Sequence, residues 1–134
     1  AVYCHGGAWY GTSSDKGIFL ESYILNFNEC LIGLKKVAAH LLKNELFIVS
    51  IQPAHKSSNG MKLIDGAIYS QVVKYTGNII DKDYYVTRNG EKKHLMRGRF
   101  RRFTAQETSQ LMKEAGFQEL GLSESKQFLL FKKR

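Results

Sequence analysis

Three side chains able to do chemistry lie close together near the start of the sequence. His5 follows the apolar run 1–4, and Trp9 and Tyr10 come shortly after it. The segment that holds them is rich in Gly and Ser, and we predict a loop as far as residue 14. An unperturbed histidine has a pKa of about 6.5, so His5 could take a proton from a hydroxyl or an amine at neutral pH. We favour the alternative, a histidine that hydrogen-bonds to the backbone at the end of a strand.

Two groups of residues could bind a substrate. Trp9 and Tyr10 could line a pocket for an aromatic or cationic molecule, or they could be part of the core. Arg97, Arg99 and Arg101 alternate along a predicted strand and so share one face. They could bind an anionic substrate tail or a nucleic-acid backbone. Because no aromatic platform alternates with them, nucleic acid is disfavoured, and we favour a solvated face or a contact with an acidic part of the protein that lies outside these residues.

The cysteines and histidines do not have the spacing of a metal site. Cys4 and Cys30 lack a C-x-x-C pair and the four histidines are scattered, so we expect no metal. Two cysteines are too few to staple a secreted domain of 134 residues, which favours a reducing compartment and a cytoplasmic protein. No apolar run reaches the roughly 20 residues that span a bilayer, so we expect no membrane association.

The positive charge is concentrated in the last third of the sequence. Residues 1–91 hold 9 Lys and Arg against 8 Asp and Glu, whereas residues 92–134 hold 11 against 4. The net charge of +8 is therefore almost entirely that of residues 92–134. An anionic partner would meet this part of the chain first.

The elements that position these residues begin with a strand, a helix and a second strand. Residues 1–4 are predicted to be a buried strand, and Asn26 and Glu29 have the spacing of a helix capping box. Apolar residues then recur at helical spacing to about Lys43, and Asn44 suits a helix end. Residues 46–51 are a continuous apolar strand. Two strands that are apolar on both faces, joined by a helix, predict a parallel pair in an α/β sheet.

The second half of the sequence predicts antiparallel structure. After a polar loop at 53–65, strands are predicted at 67–75 and 79–88, and Asn89-Gly90 is a strong hairpin signal that places Tyr85 opposite His94. Thr104 and Glu107 form a second capping box before a helix over 105–115, which Gly116 ends. Closing strands are predicted at 117–122 and 127–131. We expect the hairpins over 67–103 to form an accessory sheet within a single domain, 1–134.

This order resembles the C-terminal half of a class I S-adenosylmethionine-dependent methyltransferase of the small-molecule type. Residues 1–9 are similar to the fourth sheet strand and its loop, and residues 31–51 to the helix and fifth strand. Residues 101–117 are similar to the segment R-x-[FY]-T-x-x-E-x-x-x-L-x-x-x-A-G-F of many such enzymes, and residues 128–133 to their last strand. The resemblance implies a partial Rossmann-like sheet with an antiparallel hairpin insertion, and methyl transfer to oxygen or nitrogen of a small molecule.

The resemblance also assigns roles to individual residues. It implies that Cys4, His5 and Gly6 lie against the methionine part of S-adenosylmethionine, and that His5 is the candidate catalytic base. Loops at the carboxyl ends of the parallel strands face one crevice in such folds. Substrate-binding residues are therefore expected there, namely Trp9, Tyr10, Gln52 and His55. Arg99, on a later strand, is the fifth predicted substrate-binding residue.

One part of the family pattern is absent from these 134 residues. The glycine-rich loop and the acidic ribose ligand belong to the first two strands of such enzymes, and no segment here resembles them. We therefore expect a missing N-terminal half or a partner chain, with a homodimer as a further possibility. The alternative function is that of a basic α+β module that binds RNA or another polyanion without catalysis.

Overall fold

A computed structural model describes residues 1–4 and 7–134 of the chain. In those residues the elements follow one another as β1 (Val2–Cys4), β2 (Tyr10–Ser14), β3 (Gly17–Ser22), α1 (Phe27–Ala39), β4 (Leu46–Pro53), β5 (Ser58–Lys62), β6 (Ile68–Thr76), β7 (Ile79–Arg88), β8 (Glu91–Phe103), α2 (Ala105–Ala115), β9 (Phe117–Leu122) and β10 (Phe128–Lys133). They form two compact units: unit 1 is Ala1–Ala54 with Arg101–Arg134, and unit 2 is His55–Phe100. That both units belong to one domain, with accessory hairpins at 67–103, stays a prediction.

β4 is the central strand of unit 1. It pairs in parallel with β1, and further along the same edge it pairs in parallel with β2. Its other edge pairs antiparallel with β10, which in turn pairs with β9. Beyond β2 lie β3 and the last residues of β8, both antiparallel. The sheet is mixed, and it confirms the predicted α/β class with its parallel pair and its two closing strands.

Both helices of unit 1 pack on the same core. α1 and α2 contact each other, and their apolar sides meet alternate residues of the sheet. β4 contributes Phe47 and Val49 to this core, so Ile48 and Ser50 point to the opposite face of the sheet. The sheet of unit 1 therefore has one face that packs on α1 and α2 and a second face on which neither of these helices packs, which we call the helix-free face.

The helix ends follow from local chemistry. The Asn26 side chain accepts hydrogen bonds from the backbone N–H groups of Asn28 and Glu29, as expected of an N-cap. The predicted capping box of Thr104 and Glu107 is present at α2, which ends at Gly116 with a φ of 90°. In the described part of the chain neither helix is long and apolar enough to cross a membrane.

The first helix is shorter than predicted. α1 ends at Ala39 rather than near Lys43. The N–H groups of His40 and Leu41 bond to the carbonyls three residues back, those of Val37 and Ala38, instead of four residues back as in an α-helix. Leu41 remains buried in the turn that follows, so the apolar spacing continues where the helix does not. Asn44 takes the left-handed conformation, with a φ of 70°, and lies in the turn before β4.

Two segments predicted to be loops contain strands. The prediction of a loop as far as residue 14 is wrong from Tyr10 onward, where β2 begins. The prediction of a polar loop at 53–65 is wrong over Ser58–Lys62, which form β5. β2 lies between β3 and β4, so ladder partners on both edges override its poor local propensity. Gly11 also lets β2 approach closely, since an added Cβ there would lie 3.0 Å from the Ile51 side chain. β5 is an exposed strand that pairs with β6.

Unit 2 is built from β5, β6, β7 and most of β8 as antiparallel neighbours. The Asn89-Gly90 turn has a positive φ at both residues, 49° and 78°, as a type I′ turn requires. The rings of Tyr85 and His94 are 5.2 Å apart, which confirms the predicted cross-strand pair. Asp83, two residues before Tyr85 on β7, contacts both His94 and Arg97 on β8.

Candidate active site

The carboxyl ends of β1 and β4 mark the edge at which the sequence predicts a site. β1 ends at Cys4, and Gln52 is the next-to-last residue of β4. The predicted base His5 and the predicted cofactor contact Gly6 lie outside the described residues. Burial raises the pKa of the Cys4 thiol, so this side chain presents a neutral surface at physiological pH.

The helix-free face of unit 1 has an apolar strip on β1, β4 and β10. Tyr3 is paired with Ile48, and Ile48 with Leu130, across neighbouring strands. The Tyr3 ring, 54% exposed, meets the edge of Phe128 at a centroid distance of 5.9 Å. Ile48, Phe128 and Leu130 are half-buried, so the strip is a partly exposed apolar surface.

A polar cluster occupies the same face on β2, β3 and β8. The Glu21 carboxylate is fully buried, and its Oε1 accepts hydrogen bonds from the Thr12 hydroxyl at 2.8 Å and from Arg102 Nη2 at 2.9 Å. Arg102 Nε also donates to the same oxygen at 3.0 Å. Because Thr12 is paired with Gln52, the cluster lies beside the carboxyl end of β4. We call Thr12, Glu21 and Arg102 the acidic cluster.

Two of the predicted substrate residues, Tyr10 and Gln52, adjoin the acidic cluster through the sheet. Tyr10 is the strand partner of Glu21 and is buried, and Gln52 is half-buried. Tyr10 and Gln52 therefore share one sheet with a buried carboxylate, an arrangement that the sequence did not indicate.

Trp9 lies in the core rather than along an open wall. Its ring is 6% exposed, packs edge-on against Phe47, and donates a hydrogen bond from Nε1 to the Cys30 sulfur at 3.0 Å. Gly33 on α1 leaves room for the ring, because an added Cβ would come within 3.0 Å of it. Burial is the first cause that raises the pKa of the Cys30 thiol, and Cys30 fills the core as expected.

The other two predicted substrate residues, His55 and Arg99, belong to unit 2. His55 Nδ1 lies 3.0 Å from the buried Lys82 ammonium, and its ring stacks on Phe100 at 5.8 Å. Arg99 makes two hydrogen bonds to Asp81, at 2.7 and 3.1 Å, and this contact is the main reason that the pKa of Asp81 is lowered. Arg97 binds Asp83 in the same way. The arginine face is therefore paired with carboxylates of this chain.

Arg101, the third arginine of the predicted face, has a different role. Its guanidinium donates to the carbonyl of Leu25, just before α1, and to Glu107 at 2.6 Å on α2. The segment R-x-F-T-x-x-E therefore does more than cap a helix. It joins the start of α1 to the start of α2, on the side of the sheet that holds the core.

The acidic cluster is the feature that the sequence analysis missed. Its residues come from three separate places in the chain, with Glu21 and Arg102 81 positions apart. The one available signal was a charged residue, Glu21, inside the apolar run that begins at Ile18. Among residues 1–4 and 7–134, no group of three or more metal-binding side chains comes together.

No protein-family model and no curated protein matches the sequence. Solved structures do match. An S-adenosylmethionine-dependent methyltransferase from Clostridium acetobutylicum ATCC 824 superposes with a TM-score of 0.57 at 12% identity, over 83% of this chain and 53% of that chain. CalS10 from Micromonospora echinaspora, an amino pentose methyltransferase with S-adenosylmethionine bound, gives 0.60 at 12% identity over 84% and 53%. The fold is that of S-adenosylmethionine-dependent methyltransferases.

A third methyltransferase structure extends the comparison. KedS8 from Streptoalloteichus sp ATCC 53650, a sugar N-methyltransferase, gives a TM-score of 0.55 at 15% identity over 84% of this chain and 51% of that chain. The present chain thus spans about half the length of each of these methyltransferases. At such low identity the likeness establishes the methyltransferase fold and does not by itself establish the activity.

Proposed function

We propose that the protein transfers a methyl group from S-adenosylmethionine to an oxygen or nitrogen atom of a small molecule, and that residues 1–134 are the C-terminal part of its methyltransferase domain. The observation that supports this most is the strand order β1–β4–β10–β9, parallel and then antiparallel, in a chain that superposes on half of three methyltransferases. Such an order brings the carboxyl ends of β1 and β4 to one crevice, where a ligand of this fold would lie.

The residues present form one wall of a cofactor site. The end of β1 offers a neutral thiol at Cys4, which suits contact with the uncharged part of a cofactor, and a glycine at position 6 would permit close approach. When bound, S-adenosylmethionine supplies an electrophilic methyl group. His5 would hold the acceptor in place and take up the proton of its hydroxyl or amine, while Cys4, His5 and Gly6 would contact the methionine part.

The acceptor would be a small polar molecule. Two of the matching structures are an amino pentose and a sugar N-methyltransferase, which makes a sugar-like hydroxyl or amine a reasonable acceptor for this protein as well. Of the predicted substrate residues in unit 1, Gln52 is the one that is half-buried, whereas Trp9 and Tyr10 are both buried. His55 and Arg99 belong to unit 2, and their part in acceptor binding stays a prediction.

The missing wall would come from a further polypeptide. We propose that it is the N-terminal half of the same protein, or a partner chain that carries the glycine-rich loop, and that it covers the apolar strip around Tyr3, Ile48 and Phe128; a homodimer stays a separate prediction. It would also supply the glycine-rich loop and the acidic ribose ligand, which the resemblance implies and these residues do not contain.

The alternative, a basic module for RNA or another polyanion, is less well supported. Arg97, Arg99, Arg101 and Arg102 each make hydrogen bonds to a carboxylate of this chain, so the predicted phosphate-binding face is neutralised. A binder of this kind should lose affinity steeply as salt rises, whereas a pocket for a neutral acceptor should not.

The test is a transfer assay with the natural protein that contains this chain. Tritium from the methyl group of S-adenosylmethionine is followed into small-molecule, protein and RNA fractions of a cell extract. Label in a small molecule, with none in the other fractions, is the expected result. Label in RNA or protein would refute the assignment of the acceptor, and no label in any fraction would refute methyl transfer itself. A variant with His5→Gln should lose rate, because it lacks the proposed base.

A further inference from the structure

The segment between β3 and α1 is hydrogen-bonded to the loop that follows β1. Ser22, the last residue of β3, is completely buried. Its hydroxyl donates to the Ala8 carbonyl and accepts a hydrogen bond at 2.9 Å from the N–H group two residues further on. The N–H group of Tyr23 donates to the Gly7 carbonyl at 3.4 Å. Residues 22–26, which we call the β3–α1 linker, therefore hold the end of that loop.

The other end of the β3–α1 linker is held by Arg101. This residue is the partner of Ser22 on β8, and its Nη1 donates to the Leu25 carbonyl at 3.0 Å. Its Nη2 donates to Glu107 Oε1 at 2.6 Å, and the other oxygen of Glu107 accepts from the Thr104 N–H group at 2.9 Å. Because the Arg101 side chain is only 22% exposed, solvent screens this ion pair less than one on the surface. The linker is thus fixed both to β3 and to the first turn of α2.

The loop held in this way is the one on which the proposed cofactor contacts lie. Gly7 and Ala8 follow His5 and Gly6 directly in the sequence. A glycine-rich segment has many backbone conformations available, and ordering it when a ligand binds costs conformational entropy. A loop whose end is already held loses less entropy, so it binds its ligand more tightly. The hydrogen bonds from the linker would therefore strengthen cofactor binding indirectly.

We propose that Arg101 and Ser22 are positioning residues of the cofactor site, which act through the β3–α1 linker to hold residues 7 and 8 in the conformation that binds S-adenosylmethionine. Arg101 fixes the linker, and Ser22 connects the linker to the loop. This inference rests on the proposed function for the identity of the ligand. It also gives the arginine of the segment R-x-F-T-x-x-E a role beyond the helix cap, because that arginine couples the first turn of α2 to the loop after β1.

Amide hydrogen exchange tests the hydrogen bonds themselves and needs no cofactor. It is measured by NMR on the natural protein that contains this chain, for the parent and for Arg101→Met, which removes both hydrogen bonds of the guanidinium. The N–H groups of Tyr23 and Ile24 should exchange about tenfold faster in the variant, because the linker opens more often. Arg97→Met is the matched control, since Arg97 also makes two hydrogen bonds, both to Asp83 of unit 2. It should leave both exchange rates unchanged.

Isothermal titration of S-adenosylmethionine into the same proteins tests the effect on the cofactor site. Arg101→Met and Ser22→Ala should each weaken binding by about tenfold, and Arg97→Met should not. Because the two positioning residues act through one linker, the double variant should bind little more weakly than either single variant. Near-ultraviolet circular dichroism verifies that each variant is folded. Arg101→Lys, which retains the charge but not the fork, replaces Arg101→Met if that variant is unfolded.

Faster exchange together with weaker, non-additive cofactor binding would support the inference. Unchanged exchange at Tyr23 and Ile24 in Arg101→Met, unchanged cofactor affinity, or effects that multiply in the double variant would each overturn it. Failure of the proposed function is seen separately, because the parent protein would then bind no S-adenosylmethionine. The role in cofactor binding would fall with it, whereas the exchange rates would still show whether Arg101 holds the linker.

Discussion

Replacement of Arg102 should destabilise the protein more than replacement of the whole ion pair does. Arg102→Met leaves the Glu21 carboxylate buried, with the Thr12 hydroxyl as its remaining hydrogen-bond donor in the acidic cluster. Breaking a buried pair in this way costs about 3–5 kcal/mol. At about 3–4 °C per kcal/mol for a chain of this size, the melting temperature should fall by roughly 10–20 °C.

The double variant Glu21→Gln with Arg102→Met removes both charges and should recover most of that loss, to within about 1–2 kcal/mol of the parent protein. Urea unfolding can be followed by the fluorescence of Trp9, the sole tryptophan of these residues, which is buried in the core of unit 1. If Arg102→Met costs less than about 1 kcal/mol, or if the double variant is as unstable as the two single variants combined, the account of a buried and coupled pair is wrong.

Three further predictions concern other parts of the fold. Gly33→Ala should lower stability by about 1 kcal/mol although alanine favours helix, because its Cβ would press on the Trp9 ring, and the near-ultraviolet circular dichroism of Trp9 should change with it. Thr104→Ala should cost about 1 kcal/mol in urea unfolding through loss of the α2 cap, a result that an unchanged midpoint would contradict. A hydrogen bond from Arg97, and to a smaller extent one from His94, lowers the pKa of Asp83 to about 2. The ionised Asp83 should therefore stabilise the fold fully above about pH 4, and this stabilisation should disappear as the pH falls towards 2. Comparison of the parent with Asp83→Asn across pH 2–6 checks this, and a difference in stability that does not shrink at low pH would refute it.

Elements whose signals are local could be predicted from the sequence. The capping box at Thr104 and the glycine at 116 fixed both ends of α2, because a cap and a stop depend on a few neighbouring residues. The Asn89-Gly90 turn likewise set the hairpin of β7 and β8. These motifs determine backbone conformation on their own, with little help from the rest of the chain.

Elements that depend on distant partners could not be predicted. β2 has a loop-like composition and is a strand because β3 and β4 lie on either side of it. β5 is exposed along its whole length and follows the ladder of β6. In both segments the tertiary pairing overrides the local preference.

The candidate site illustrates the same limit for side chains. Spacing placed Gln52 at the end of a strand, but it gave no indication that Trp9 would turn into the core or that Glu21 would meet Arg102. Such contacts depend on which strands become neighbours. The paired strands β3 and β8 are far apart in the sequence, so their pairing has no local signal. Local sequence therefore predicted the edge of the sheet that holds the candidate site, and only the fold revealed the charged cluster beside it.

The central claim is that these residues are one part of a methyltransferase whose cofactor site needs another. Isothermal titration of S-adenosylmethionine measures this most directly, performed on the natural protein that contains the chain and on residues 1–134 alone. The account predicts micromolar binding to the natural protein and no measurable binding to residues 1–134, with Trp9 fluorescence used to verify that the shorter form is folded. Equal binding to both forms would contradict the need for a further segment, and no binding to the natural protein would contradict the proposed function.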